Sequence, residues 1–132
     1  MHKKLGRILL VLALGPFMAT FAGTVVGTAT VTWVNPTTYT DGTALTLASV
    51  NVYRGTSAAG PWTKIGTVTE GSTLITSYTD TSAPAGSTVY YYVTAVDGSG
   101  SESAPSNTAS KAIALPTPNA PTGLQISNIP GG

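Results

Sequence analysis

The sequence predicts an all-β sandwich, on three observations. Short runs of apolar and polar residues alternate with a period of two. Gly, Pro, Asn, Asp and Ser punctuate those runs at near-regular spacing. Beyond residue 22, no stretch sustains a helical period. Six short strands divided by turns are the pattern of two packed antiparallel sheets.

The first 22 residues stand apart from that pattern. Lys3, Lys4 and Arg7 form a basic head, Ile8 to Ala22 is almost wholly apolar, and Thr20 and Ala22 make a small-residue exit before Gly23. This arrangement predicts a secretory signal peptide, removed on export. An apolar run of about 15 residues broken by Gly15-Pro16 is short of the roughly 20 that a helix needs to span a bilayer. The membrane is therefore expected to meet the chain only through this leader. The expected location is secreted, extracellular or at the cell surface.

Removal of the leader leaves 110 of the 132 residues, enough for one domain. Arg54, Lys64 and Lys111 then stand against Asp41, Glu70, Asp80, Asp97 and Glu102, a net charge of −2. A basic surface for nucleic acid is excluded. With no cysteine anywhere, an exported chain of this kind relies on its core rather than on disulfides.

Thr28 to Val34 alternates with Ala29, Val31 and Trp33 on one face and ends at Asn35-Pro36, the first predicted strand. Thr37 to Ala44 is polar and reads as a loop or edge hairpin. Leu45 to Arg54 resumes the alternation with Val50 and Val52 inward. Trp62 to Val68 and Leu74 to Thr79 follow as short strands. Ser87 to Asp97 is the longest β-branched and aromatic run past the leader, apolar on both faces, and is expected at the centre of a sheet. Asp97-Gly98-Ser99-Gly100 is a hairpin signal, and Ser106 to Leu115 forms the return strand. Pro116, Pro118 and Pro121 mark a stiff linker. Thr122 to Ser127 is a last strand-like piece.

Five motifs in order resemble a bacterial fibronectin type III domain: T-V-T-W at Thr30 to Trp33, V-Y-R-G at Val52 to Gly55, G-P-W-T-K-I-G at Gly60 to Gly66, S-Y-T-D-T at Ser77 to Thr81, and Y-Y-V-T-A-V-D at Tyr91 to Asp97. The resemblance runs from about Thr28 to Ile113. It implies an immunoglobulin-like sandwich of seven strands, with Trp33 in the core on strand B, Val52-Tyr53 on strand C, Ile65 on C′, Tyr78 on E and the central run on F. Two departures follow. Val89 stands where the family places a corner tyrosine, so the loop before the central strand is held by Pro84 and packing, or by Tyr90 in its place. Strand A is absent from the N-terminal side, where only Gly23 to Gly27 precede Thr28. Its Pro-x-Gly-Leu-x-hydrophobic motif appears at the other end, as Pro121 to Ile126. The domain is thus expected over residues 23–115, with a Pro-rich, strand-A-like tail over 116–132.

Catalysis is not expected. Residues 23–132 hold no His and no Cys, and the five carboxylates lie scattered in or beside predicted turns. No metal site and no cofactor is predicted, because Asp97 to Glu102 lacks the repeated acidic spacing of a calcium loop and reads as a plain turn. Trp62, Tyr90 and Tyr92 are a candidate aromatic surface for carbohydrate or protein, weighed against simple packing on neighbouring strands. The expected role is a secreted, non-enzymatic structural or protein-interaction module. Its candidate partner is a second copy of itself, joined by donation of the tail strand through Gly123, Leu124 and Ile126 into a filament. A carbohydrate-binding accessory domain and a fragment of a longer multi-domain surface protein are the rival readings.

Overall fold

A computed structural model describes residues 23–128, so the predicted leader lies outside the described residues. Six strands form: β1 (Val26–Thr32), β2 (Leu47–Gly55), β3 (Trp62–Thr69), β4 (Ser77–Pro84), β5 (Thr88–Asp97) and β6 (Ala109–Ala112). They make two antiparallel sheets, one of order β1-β4 and one of order β3-β2-β5-β6. No helix occurs among the described residues. The expectation of an all-β, two-sheet molecule holds, and β5 lies inside its sheet between β2 and β6, as its two apolar faces require.

The core lies between the sheets. Ala29 of β1 and Ala83 of β4 meet Val52, Val89 and Tyr91 of the larger sheet, with Ile113 closing the cluster from beyond β6. Val50 and Val52 are 1% and 0% exposed, the inward pair the alternation predicts. Two close approaches depend on glycine. A Cβ on Gly27 would overlap Ile113 Cγ2, and one on Gly66 would lie 2.5 Å from the Tyr78 ring, whose hydroxyl donates to the Ile65 carbonyl at 2.9 Å. A bulge between Val52 and Tyr53 in the β2–β3 register leaves Ile65 as the extra residue and lets both Ile65 and Tyr78 pack on the core.

Several boundaries differ from expectation. The fourth strand is Ser77–Pro84 rather than Leu74 to Thr79. Leu74 and Ile75 stay exposed in the loop before it, where the Ile75 amide is held by the Glu70 carboxylate at 2.7 Å. Hydroxyl-rich Ser77–Pro84 wins the strand position because β1 supplies its ladder partner. The first strand starts at Val26 and stops at Thr32, so Trp33 lies just past it. Trp33 packs against the core but is only half-buried, with its indole N–H on Asn35 Oδ1 at 2.7 Å. The return strand is four residues long rather than ten. Thr122 to Ser127 forms no strand.

The loop before β5 is held without a corner tyrosine. Ser87 Oγ donates to the Pro84 carbonyl at 2.7 Å, and the Ala85 and Gly86 amides donate to Val25 and Ile113 carbonyls. Tyr90 does not substitute, because it lies on the outer face of the sheet, next to Gly55 and Ser110 in the register. Val89 instead fills the core at 1% exposure.

Candidate functional site

The inner polar cluster of the sandwich is structural. Asp80, 2% exposed, accepts from Arg54 Nη1 at 2.7 Å, from the Tyr91 hydroxyl at 2.8 Å and from the Ser82 amide and hydroxyl at 2.8 Å. Burial alone would raise the Asp80 pKa, but these donors outweigh it and hold it below the usual value. Burial and the Asp80 charge push the Tyr91 hydroxyl the other way. A charge so fully engaged inside the core has no capacity left for a ligand.

The outer face of the larger sheet carries the predicted aromatic group. Trp62 meets Tyr92 edge-on with centroids 4.7 Å apart, and Tyr92 stacks on Tyr53 at 4.7 Å and 18°. Tyr53 joins the predicted group, on the face opposite inward Val52. Tyr90 lies one row away, separated from Trp62 by Gly55. The rings therefore lean on one another across strands, as cross-strand pairs do, and do not form a flat platform.

Beside them, Glu102 accepts from Asn51 Nδ2 at 3.0 Å, from the Tyr53 hydroxyl at 2.7 Å and from Thr94 Oγ1. Those three bonds, with Lys64 nearby, lower its pKa to about 2. Asp97 accepts from Ser99 and Ser101 amides, the Ser99 hydroxyl and, at 3.0 Å, the Tyr39 hydroxyl. These bonds, led by the Ser99 hydroxyl, bring it too to about 2. The stretch from Asp97 to Gly100 is thus the turn the sequence predicts, its carboxylate spent on its own loop. Among the described residues, no group of three or more His, Cys, Asp or Glu is placed to hold a metal ion.

Besides a cleft of about 320 Å³ lined by Pro36, Tyr39, Leu45, Ala95 and Asp97, a further feature is an unpaired edge. Among the described residues β1 has β4 on one side and no strand on the other. Along that open side a cleft of about 420 Å³ has a mixed lining, apolar at Val31, Trp33 and Val93 and polar at Thr32, Ser106 and Asn107. A smaller one of about 160 Å³ continues past Trp33 to Val50, Val93 and Ala95. Val93 faces inward on a central strand and is still only half-buried. Free backbone groups thus run beside half-buried core side chains along this edge.

Of the predicted donor residues, Leu124 and Ile126 are 93% and 91% exposed, and Gly123 has φ +72° in an extended, unpaired tail. The structure does not bring them to the β1 edge. The tail leaves β6 at the pole where Thr88 pairs with Ala112, and Leu115 packs there on Gly86. Compared with known proteins, the chain matches no family model and no curated protein sequence.

Proposed function

We propose that this chain is a secreted, non-enzymatic structural subunit of fibronectin type III kind that assembles head to tail, each copy donating its C-terminal strand to the open β1 edge of the next. The observation that carries the reading is the unpaired β1 edge and the cleft beside it, together with a tail whose alternating apolar residues Leu124 and Ile126 are exposed and unpaired among the described residues.

Direction separates donation to a neighbour from antiparallel pairing within the same chain, which leaves a reversed, parallel pairing as the one form of folding back. An incoming strand antiparallel to β1 must begin at the Thr32 end, whereas the tail leaves from the Val26 end. The seven residues of β1 span roughly 23 Å. Leu124 is nine residue steps beyond Leu115, and a fully extended run of that length reaches about 30 Å. Covering 23 Å and then reversing with a turn before Leu124 exhausts that reach. The neighbour's groove, stacked on the pole from which the tail emerges, needs no reversal. This is strand addition in trans, and a contact between unlike poles propagates as a filament unless it closes into a ring.

Charge supports the same order. Asp41, Glu70 and Asp97 lie toward the Asp97 pole, Glu102 lies on the outer face near Lys64, Arg54 is neutralised by Asp80, and Lys111 lies opposite Val89 near the other pole. Two Asp97 poles repel, and unlike poles do not. The carbohydrate reading has less support, since Tyr53 and Tyr92 stack on each other and Trp62 meets Tyr92 edge-on, so the three rings form no flat platform.

Sizing and electron microscopy of residues 23–132 test the proposal. High-mass linear assemblies are expected for the intact chain, and monomers for chains lacking residues 118–132 or carrying Leu124→Asp and Ile126→Asp. An intact chain that stays monomeric at high concentration, or a deletion that assembles equally well, refutes it.

A further inference from the structure

The open seam is uneven along its length, and the unevenness sets a register. At the Val26 end it is shut: Ile113, 5% exposed, lies on Gly27, and Ala29 is 2% exposed. At the Thr32 end it is open. Burial on the inner face of β5 falls from 1% at Val89 and 2% at Tyr91 to half-buried at Val93, and on β1 from Ala29 to half-buried Val31 and Trp33. Over this stretch the chain before β6 follows β5 only through isolated bonds, such as the Ser106 amide to the Val93 carbonyl at 2.9 Å. The uncovered core is therefore two inward positions long, at Trp33 and Val31.

The tail carries a plug of the same length. Thr122, Leu124, Ile126 and Asn128 share one face of an extended strand, so two apolar residues lie between two polar ones. We propose, resting on strand donation as above, that the tail of one copy pairs antiparallel with β1 of the next in a single register. Leu124 sits opposite Trp33, Ile126 opposite Val31, and Ile113 on Gly27 is the stop. A shift of two residues toward the Val26 end would drive Ile126 against Ala29, where the seam is closed. A shift the other way would leave Leu124 beyond the strand. A shift of one turns both apolar residues out to solvent. In the proposed register Gln125 falls opposite Thr32, and Ser127 opposite Thr30, on the outer face.

The chain contains no cysteine, so paired substitutions read the register without background. Directly opposed residues on antiparallel strands bring their Cβ atoms within about 5 Å, close to disulfide range. Thr32→Cys copies are mixed with Gln125→Cys copies, assembled and oxidised, beside a parallel mixture of Thr30→Cys and Gln125→Cys. A covalent dimer from the first mixture and its loss in the second is the expected result. Efficient crosslinking through Thr30 in assemblies that still form overturns the register and leaves donation standing. A Thr32→Cys/Gln125→Cys double variant that closes its disulfide within one monomer shows pairing in cis and overturns the proposal. Absence of both assembly and crosslinks, with the tail-deleted chain behaving identically, overturns donation itself.

Discussion

Asp80 is the residue on which the interior most depends, because it is a buried charge whose neutrality rests on one partner. Removing Arg54 leaves that carboxylate in the core with hydroxyl and amide donors only. Arg54→Ala is expected to cost about 3 kcal/mol or more in denaturant unfolding. Tyr91→Phe removes one neutral donor among several and is expected to cost about 1 kcal/mol. The outer carboxylates act differently. Asp97 and Glu102 fall from ordinary values of 3.8 and 4.5 to about 2 in the folded chain. The unfolded chain therefore takes up protons first as acid is added. The stability they contribute is complete above about pH 5 and is lost progressively toward pH 2. A pH series of melting curves should be flat from neutrality to about pH 5 and fall below it. Glu102→Gln should flatten part of that fall. Trp33, half-buried at an uncovered edge, should cost less on truncation to Ala than the roughly 3–5 kcal/mol of a fully buried Trp.

At the scale of elements, the legible parts were those with a strong local signal. The β5 run, the inward Val50-Val52 pair and the Asp97-Gly98 turn follow from alternation and turn chemistry alone. The fourth strand lies later than the expected Leu74 to Thr79 because its pairing is decided by β1 rather than by its own composition. Leu74-Ile75 has the better strand propensity and lacks a partner. Tyr53 and Glu102 were not read as one cluster, because nothing local says that the loop after β5 folds back to lay Glu102 over Asn51. The open edge was legible from the missing strand, whereas its closure at Gly27 by Ile113 needed three dimensions. Gly66 is the position where elements depend most on a missing side chain. Gly66→Ala forces the Tyr78 ring off the β3 backbone and should destabilise by about 1–3 kcal/mol in thermal or denaturant unfolding, with a weakened Tyr78–Ile65 hydrogen bond.

At the scale of the whole molecule, the sandwich has two unlike poles and one unlike pair of edges. The acidic Asp97 pole and the tail-bearing pole differ, and under the proposed assembly the uncovered seam receives a neighbour's strand. Transfer of Leu124 and Ile126 from near-full exposure into that seam is worth about 1.5–3 kcal/mol each before the cost of ordering the tail. Raising salt should weaken the discrimination between poles without removing this apolar contribution, which light scattering across a salt series measures. The central claim is that the β1 edge accepts the strand carried by residues 116–132. Its most direct measurement is titration of that segment, as a free peptide, into the sandwich lacking residues 118–132. The account predicts saturable one-to-one binding. At a peptide concentration about 100-fold above its Kd this stabilises the sandwich by ~2.7 kcal/mol, a rise in Tm on the order of 10–20 °C. The peptide with Leu124→Asp and Ile126→Asp should do neither. A sandwich whose Tm is unmoved by the native peptide, or is moved equally by the Asp variant, would contradict it.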